Sequence, residues 1–110
     1  MAVANAAYHL QCILVMRGSC QLTFPIHFHY SCNTTRDLLW SISISSQAIS
    51  RNSHLPLLDL SYVAAGPMTE MCLYETAAAV VNAVVSGGSI EFGGVTKATK
   101  IDHLTPMEPR

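Results

Sequence analysis

Two histidines give the sequence its first candidate site. His27 and His29 lie in the segment QLTFPIHFHY (21–30), in which polar and apolar residues alternate strictly. A period of two predicts a β-strand, on which both imidazoles would lie on one face about 7 Å apart. At the end of a barrel strand such a pair could contact a substrate or hold a metal ion. The alternative is a pair of polar residues that only fill the interior of the fold, because no third ligand stands at a spacing typical of metal sites.

Tyr62 is the second candidate because of its place in the chain. It ends the apolar run Leu55–Tyr62, which predicts a strand, and it precedes a loop. Catalytic groups of barrel enzymes gather where strands end, and a tyrosine there can donate a hydrogen bond to a small polar substrate. The alternative is an aromatic side chain that packs at the base of the loop. Tyr62 shares a strand face with Leu60 and not with Asp59, but the pattern does not say which face points inward.

Three further groups carry weaker signals. Gly93–Gly94 follows a short predicted strand, where barrels often bind phosphate, but no phosphate-binding motif surrounds it. Asp102–His103 offers acid–base chemistry, yet adjacent loop residues seldom face each other. Glu70 and Glu75 are five residues apart and do not share a helix face, so they do not read as a carboxylate pair. None of these groups specifies a reaction.

The elements that must position these side chains alternate along the chain. The sequence predicts helices at Ala2–Arg17, Arg36–Ser50 and Met68–Ser86, and strands at 21–30, Leu55–Tyr62 and Ser89–Phe92. Gly18 stands where a helix-ending glycine is expected, and Gly66–Pro67 opens the third helix. Pro25 lacks a backbone donor and would normally confine its strand to a sheet edge or a bulge. The segment 105–108 has the pattern of a capping box and so announces a further helix.

This order of elements predicts the fold class. Strands that alternate with helices of this length are typical of parallel βαβ units. Three parallel strands cannot close a barrel and leave two unpaired edges, and the helix at each end looks cut. We therefore predict an α/β chain, an incomplete (β/α)8 TIM-barrel segment of about three parallel βα units. Residues 1–110 would be a single partial domain, internal to the C-terminal part of the larger TIM barrel.

The composition agrees with a segment that is mostly buried. Half of the residues are hydrophobic and 12% are charged, about half the usual charged share. A net charge of −1 and a pI near 6.5 exclude a basic surface for nucleic acid or for an anionic membrane. The longest apolar run, 76–85, is too short to span a bilayer. The cysteines have no zinc-site spacing and the chain has no secretion signal, which predicts reduced thiols and a cytoplasmic protein.

A family resemblance adds the chemistry that these patterns leave open. The string YVAAGPMTEMCL (62–73), together with Ile26, His27 and the segment 33–37, resembles the monomethylamine:corrinoid methyltransferases of methanogenic archaea. Less specific similarity extends to 105–108, over nearly all of this chain but over a minority of the full-length family protein. The resemblance implies a TIM-barrel enzyme of methanogenesis that transfers the methyl group of monomethylamine to the cobalt of a partner corrinoid protein.

The resemblance also implies roles for residues and cofactors. Tyr62 matches a tyrosine near the family's pyrrolysine ring and is the expected catalytic residue, while His27 matches a family histidine and, with His29, is expected to bind substrate. Leu60 stands in place of a family glutamine, so a hydrogen-bonding amide is missing and the exact amine substrate is in question. The pyrrolysine and the active-site glutamate lie upstream of the matching region. The corrinoid is carried by the partner protein, so no cofactor is bound directly, and the full-length protein is expected to be a homo-oligomer.

Three hypotheses compete. The first is a methyltransferase fragment that is inactive alone, because the half with the pyrrolysine is missing. The second is a non-catalytic, barrel-derived module that docks a corrinoid protein or a sister subunit. The third is a metal-binding protein built around His27 and His29. We also predict that the isolated chain is poorly soluble or oligomeric, because 110 residues cannot cover two open sheet edges.

Overall fold

The computed structural model describes residues 1–95, in which three helices and three strands alternate. They are α1 (Ala2–Leu14), β1 (Gln21–Thr23), α2 (Arg36–Asn52), β2 (Leu57–Val63), α3 (Glu70–Val85) and β3 (Ser89–Val95). The predicted order of elements is thereby confirmed. The predicted helix start at 105–108 and the adjacent pair Asp102–His103 lie outside the described residues.

The three strands form one parallel sheet in the order β1-β2-β3. Parallel neighbours need a crossover connection, and α2 and α3 supply the two crossovers. The α/β class and the parallel units are therefore confirmed. β3 does not end at the predicted break at 93–94 but runs to Val95, and its register with β2 shifts by one residue between Leu60 and Tyr62.

All three helices contact the same face of the sheet. Alternate residues of β2, from Leu57 to Val63, are buried on this face. α2 reaches it through Ser46, whose hydroxyl donates to Asp59 Oδ1 at 3.3 Å, and α3 reaches it through Cys72, which packs on Val63. α1 contacts the same face through His9, which is hydrogen-bonded to side chains of β1. We call this side of the sheet the covered face and the opposite side the open face.

The layer between the helices and the sheet is polar. His9 of α1 is fully buried, with its Nδ1 3.3 Å from Gln21 Oε1 and its Nε2 3.1 Å from Thr23 Oγ1. Asn5 Nδ2 donates to Ser45 Oγ at 2.6 Å and so joins α1 to α2. Pairing of this kind offsets the cost of burying polar groups, although Gln21 Nε2 and Asp59 Oδ2 are buried without a hydrogen-bond partner in residues 1–95. We call this set the polar layer: Asn5, His9, Gln21, Thr23, Ser45, Ser46 and Asp59.

Burial sets the charge states within the polar layer. Desolvation lowers the pKa of His9, and the hydrogen bond to Gln21 opposes this effect. Desolvation also raises the pKa of Asp59, against the hydrogen bonds from Thr23 and Ser46. Both shifts favour the neutral form of the side chain. The acid and the base of the polar layer are therefore biased towards carrying no charge.

The strand predicted over 21–30 is wrong in its length. β1 ends at Thr23, and its buried side chains are the polar ones, Gln21 and Thr23. Phe28, which the alternation places on the apolar face of a strand, is fully exposed in a turn. The strand stops early because Pro25 cannot donate to the neighbouring strand. Polar side chains of β1 can be buried on the covered face because they pair with groups on α1 and β2.

Two helix boundaries also differ from the predictions, each for a local reason. α1 ends at Leu14, and Arg17 rather than Gly18 takes the left-handed conformation, with φ of 52°. α3 begins at Glu70 rather than directly after the Gly-Pro pair, because the side chain of Thr69 caps it by accepting a backbone N–H. Thr69 therefore fixes the length of the loop that follows β2.

The surface of the described part is rich in apolar side chains. Among the most exposed on α3 are Val81, Val84 and Val85. This agrees with the low share of charged residues in the sequence. Within residues 1–95 no helix is both long enough and apolar enough to cross a membrane. All four cysteines lie in this range, and no disulfide joins any two of them.

Candidate active site

Pro25 interrupts the hydrogen bonds between β1 and β2. Gln21 N donates to Pro56 O at 2.8 Å, and Gln21 is the partner of Leu57. In a parallel ladder every second residue exchanges bonds with the neighbouring strand, so the same register would place Pro25 opposite Ser61. Proline has no backbone N–H and cannot donate there. β1 therefore ends before this position, although β2 continues past it.

The side chain of Asn33 takes over the bonds that Pro25 cannot make. Asn33 Nδ2 donates to Leu60 O, and Asn33 Oδ1 accepts from Tyr62 N at 2.7 Å. These are the two groups of β2 that a strand residue opposite Ser61 would use. The backbone N of Asn33 adds a third bond, to Tyr62 O at 2.9 Å. The amide thus extends the ladder by one residue from outside the strand.

The residues between β1 and Asn33 form a loop at the carboxyl end of the sheet. We call residues 24–32 the rim loop. The bond from His27 N to Cys32 O, at 2.8 Å, closes the part of the loop from residue 27 to its end. The ring of His27 closes the turn inside it, because Nδ1 accepts from His29 N at 3.2 Å and from Tyr30 N at 3.4 Å. This nitrogen is therefore occupied by the backbone, and Nε2 is left to carry the proton of the neutral ring.

The shared strand face predicted for His27 and His29 does not exist. His27 is half-buried and His29 is exposed, and their common neighbour is Tyr30, with ring centroids 4.7 and 5.0 Å away. The prediction fails because the residues after Pro25 leave the sheet. Neither histidine has a hydrogen bond or a ring contact with Tyr62 in the described part of the chain.

Tyr62 lies on the open face, at the carboxyl end of β2. Leu58, Leu60 and Tyr62 alternate with the buried residues of this strand and are half-buried. This settles the parity that the sequence left open, because Tyr62 and Leu60 share the face without helices. The ring of Tyr62 lies against that of Phe24 from the rim loop, with centroids 5.1 Å apart and planes inclined by 56°.

Glu75 of α3 holds the chain just beyond Tyr62. Its Oε2 accepts from Ala64 N at 2.7 Å and from Thr34 Oγ1 at 2.6 Å. Ala64 follows β2 directly, and Thr34 follows Asn33. The carboxylate therefore joins the same two segments that the Asn33 amide joins, one step further from the sheet.

Asn33 and Glu75 are the residues that sequence reasoning missed. The family resemblance is the only reason to single out the segment 33–37, and the sequence suggests no role for Glu75 beyond a pairing with Glu70 that the spacing rules out. The available signal was Pro25, because a strand that meets a proline needs another donor. The sequence offers no rule for finding that donor, since it lies eight residues further along a loop.

The described residues offer no preformed metal site. Within residues 1–95 no three side chains of His, Cys, Asp or Glu are grouped closely enough to hold a metal ion. The fold of residues 1–95 therefore brings no third ligand to His27 and His29, which a metal centre at these residues would need. Tyr62 and the aromatic and aliphatic side chains around it offer hydrogen bonding and an apolar wall, which suit a small organic substrate.

Comparison with known proteins gives one family. The family model described as "Monomethylamine methyltransferase MtmB" matches residues 1–110. Monomethylamine methyltransferase MtmB1 of Methanosarcina barkeri is 31% identical over 110 residues, which are 98% of this chain and 24% of the relative. MtmB2 of Methanosarcina acetivorans and MtmB of Methanosarcina mazei are each 30% identical, with the same coverage. The chain thus spans about a quarter of the length of these relatives, and no solved structure matches it.

Proposed function

This chain belongs to the monomethylamine methyltransferase MtmB family, and on that basis we propose that it is a segment of a methyltransferase acting in methanogenesis from methylamine. The proposed reaction transfers the methyl group of monomethylamine to the cobalt of a cognate corrinoid protein. The amine reacts as methylammonium: the C–N bond breaks with its electron pair on nitrogen, ammonia leaves, and the reduced cobalt of the partner protein supplies the electron pair of the new bond to carbon. The corrinoid is the methyl acceptor carried by the partner, and no side chain of residues 1–95 is proposed as a ligand of its cobalt.

The observation that carries this proposal is the position of Tyr62. It lies at the carboxyl end of a parallel strand, on the face that no helix in residues 1–95 covers. If the sheet continues into a closed (β/α)8 barrel, the open face becomes the lumen and the carboxyl end becomes the mouth. Active sites of such barrels lie at that mouth. We therefore propose the TIM-barrel architecture together with the site.

Within this site we assign Tyr62 to hold the amine. Its phenol can exchange a hydrogen bond with the nitrogen and so align the C–N bond with the incoming acceptor. Phe24 packs on the Tyr62 ring and limits its movement. His27 and His29 remain proposed substrate-binding residues. In this proposal they act from the rim loop, at the entrance, because they have no contact with Tyr62.

A second candidate function is supported by the exposed aromatic residues of the rim loop. Phe28 is fully exposed and Tyr30 is 57% exposed, next to the carboxyl end of the sheet. A surface of this kind is typical of protein docking sites. A non-catalytic module would use it to bind a corrinoid protein or a sister subunit. The enzyme also needs the corrinoid protein to approach this end, so docking alone does not separate the two functions.

Product analysis separates them. The longer protein that contains this segment is incubated with monomethylamine and the reduced corrinoid protein, and methyl-cobalt formation and ammonia release are measured together. The enzyme proposal expects the two products in a one-to-one ratio, in amounts that exceed the amount of protein added. Binding of the corrinoid protein without either product would overturn it in favour of the docking module. Cytoplasmic location and homo-oligomeric assembly are further proposals that rest on the same family membership.

A further inference from the structure

The end of β2 pairs with β3 on one side, but on the β1 side it is held by Asn33 and Glu75 instead of by a strand. On the β1 side the ladder ends at the pair of Thr23 and Asp59, so the carbonyl of Leu60 and both backbone groups of Tyr62 have no partner on β1. Partly buried N–H and carbonyl groups without hydrogen-bond partners would favour fraying of the strand end. Tyr62, the residue at this end, therefore depends on Asn33 for its backbone position.

The side-chain amide of Asn33 has the geometry needed to replace a strand partner of β2. It offers one donor and one acceptor in a plane, like a peptide group, and both are used on β2. With the backbone bond to Tyr62 O, one residue binds both the N–H and the carbonyl of Tyr62. Asn33 is only 2% exposed, so its own side chain is not available to a substrate.

Glu75 performs a similar task for the residues that follow. Its Oε2 holds Ala64 N, two residues after Tyr62, and it ties this point to Thr34. Both partners are uncharged donors, so the carboxylate acts as a double acceptor and not as half of an ion pair. Tyr62 is thus flanked by one clamp at its own backbone and by a second clamp two residues later.

We propose that Asn33 and Glu75 are positioning residues for the methyl transfer, which act by fixing the backbone that carries Tyr62. This inference rests on the proposed function only through the role of Tyr62 in the site. Neither residue touches the substrate in this account. Loss of either clamp releases the end of β2, so that the phenol is held in the productive position for a smaller fraction of the time.

The first test is amide hydrogen exchange in the longer protein, measured residue by residue. Asn33→Ala should accelerate exchange at the Tyr62 amide at least tenfold, and Glu75→Ala, which removes the acceptor, should accelerate it at the Ala64 amide. The matched controls are Asn52→Ala and Glu70→Ala. Asn52 also donates to a backbone carbonyl, but at the exposed end of α2, and Glu70 is exposed at the start of α3. Equal exchange at Tyr62 in the Asn33 and Asn52 variants would overturn the clamp.

The second test uses the N33D variant and does not depend on full loss of the side chain. An ionised carboxylate can still accept from Tyr62 N but repels the carbonyl of Leu60, whereas a protonated carboxyl group donates to that carbonyl. Tyr62 protection and kcat in N33D should therefore be reduced at neutral pH and recover as the pH falls. Values that stay low throughout, while the Glu70→Ala control keeps its activity at each pH, would contradict the proposal. This readout remains usable if Asn33→Ala does not fold.

Kinetics separate failure of this inference from failure of the proposed function. We expect kcat to fall about tenfold in Asn33→Ala and in Glu75→Ala, with a smaller change in KM. If Tyr62→Phe lowers kcat and neither clamp variant does, the positioning roles are wrong and the proposed site stands. If Tyr62→Phe leaves kcat unchanged, the proposed site itself is wrong.

Discussion

The covered face and the open face of the sheet differ in where shifted pKa values occur. A catalytic site is usually expected where pKa values are shifted, yet the proposed site lies on the other face. The covered face holds two groups with shifted pKa values, His9 and Asp59, within the polar layer. The open face at β2 holds Leu60 and Tyr62, with Phe24 packed on the tyrosine. Perturbed titration often marks catalytic groups, but it also accompanies purely structural burial.

The exposure of the side chains shows which of these two regions a substrate could reach. His9 is fully buried, and its ring nitrogens lie within hydrogen-bond distance of Gln21 and Thr23. Tyr62 is half-buried and lies on a face without helices. The polar layer therefore attaches α1 and α2 to the sheet, and the proposed site lies on the open face. Variants in the two regions should accordingly separate loss of stability from loss of turnover.

The largest effect on stability is expected in the polar layer, at His9. His9→Ala removes a fully buried ring and leaves Gln21 and Thr23 without their shared partner, which should cost about 3 kcal/mol of unfolding free energy. The measurement is urea unfolding of the longer protein, with His54→Ala as the control because His54 is exposed. A His9 variant as stable as the His54 variant would show that the polar layer does not hold α1.

The next largest effect is a dependence of stability on pH. Because the pKa of His9 is lowered in the folded state, the unfolded chain binds the proton more readily, and stability should fall as the pH drops below about 6.5. Asp59 acts in the opposite sense. Its pKa is raised, so the stability that it contributes is present below about 3.8 and is lost as the pH rises through the folded value.

Thermal melts at pH 5 and pH 7 test the contribution of His9. The unsubstituted protein should lose melting temperature at pH 5, and His9→Gln should lose less, because it has no proton to gain in this range. His54→Gln serves as the control and should follow the unsubstituted protein. If the two variants change equally with pH, the polar layer is not the source of the acid sensitivity.

The smallest effect on stability is expected on the open face, at Leu60. Leu60→Gln introduces the amide that the resemblance to the family leads one to expect there, and it should change unfolding free energy by about 1 kcal/mol or less. It should instead change the ratio of kcat/KM for monomethylamine to that for dimethylamine severalfold. Leu58→Gln, on the same face but further from the carboxyl end, is the matched control. An identical ratio in both variants would remove Leu60 from the site.

The sequence predicted the framework well and the site only in part. The order of elements and the α/β class followed from helix formers, turn residues and short apolar runs, which are local signals. The alternation in β2 also placed Tyr62 and Leu60 on one face correctly. These features could be predicted because each depends on residues that are close together in the chain.

The failures concern contacts over long separations. The alternation at 21–30 looked like a strand, but Pro25 ended it, and the polar side chains rather than the apolar ones were buried. The donor that replaces the missing N–H of Pro25 is Asn33 Nδ2, and its acceptor, the carbonyl of Leu60, is 27 residues away. No local pattern shows that His9, 14 residues before Thr23, makes a polar strand face suitable for burial.

The central claim is that the open face at the end of β2 is the reacting face and that Tyr62 acts there. It is tested most directly by the single-turnover rate of methyl transfer for Tyr62→Phe in the longer protein, with Tyr30→Phe as the control. We expect the rate to fall about 100-fold for Tyr62→Phe, with unfolding free energy unchanged within about 0.5 kcal/mol, and to stay the same for Tyr30→Phe. A Tyr62 variant that transfers the methyl group as fast as the unsubstituted protein would contradict the account.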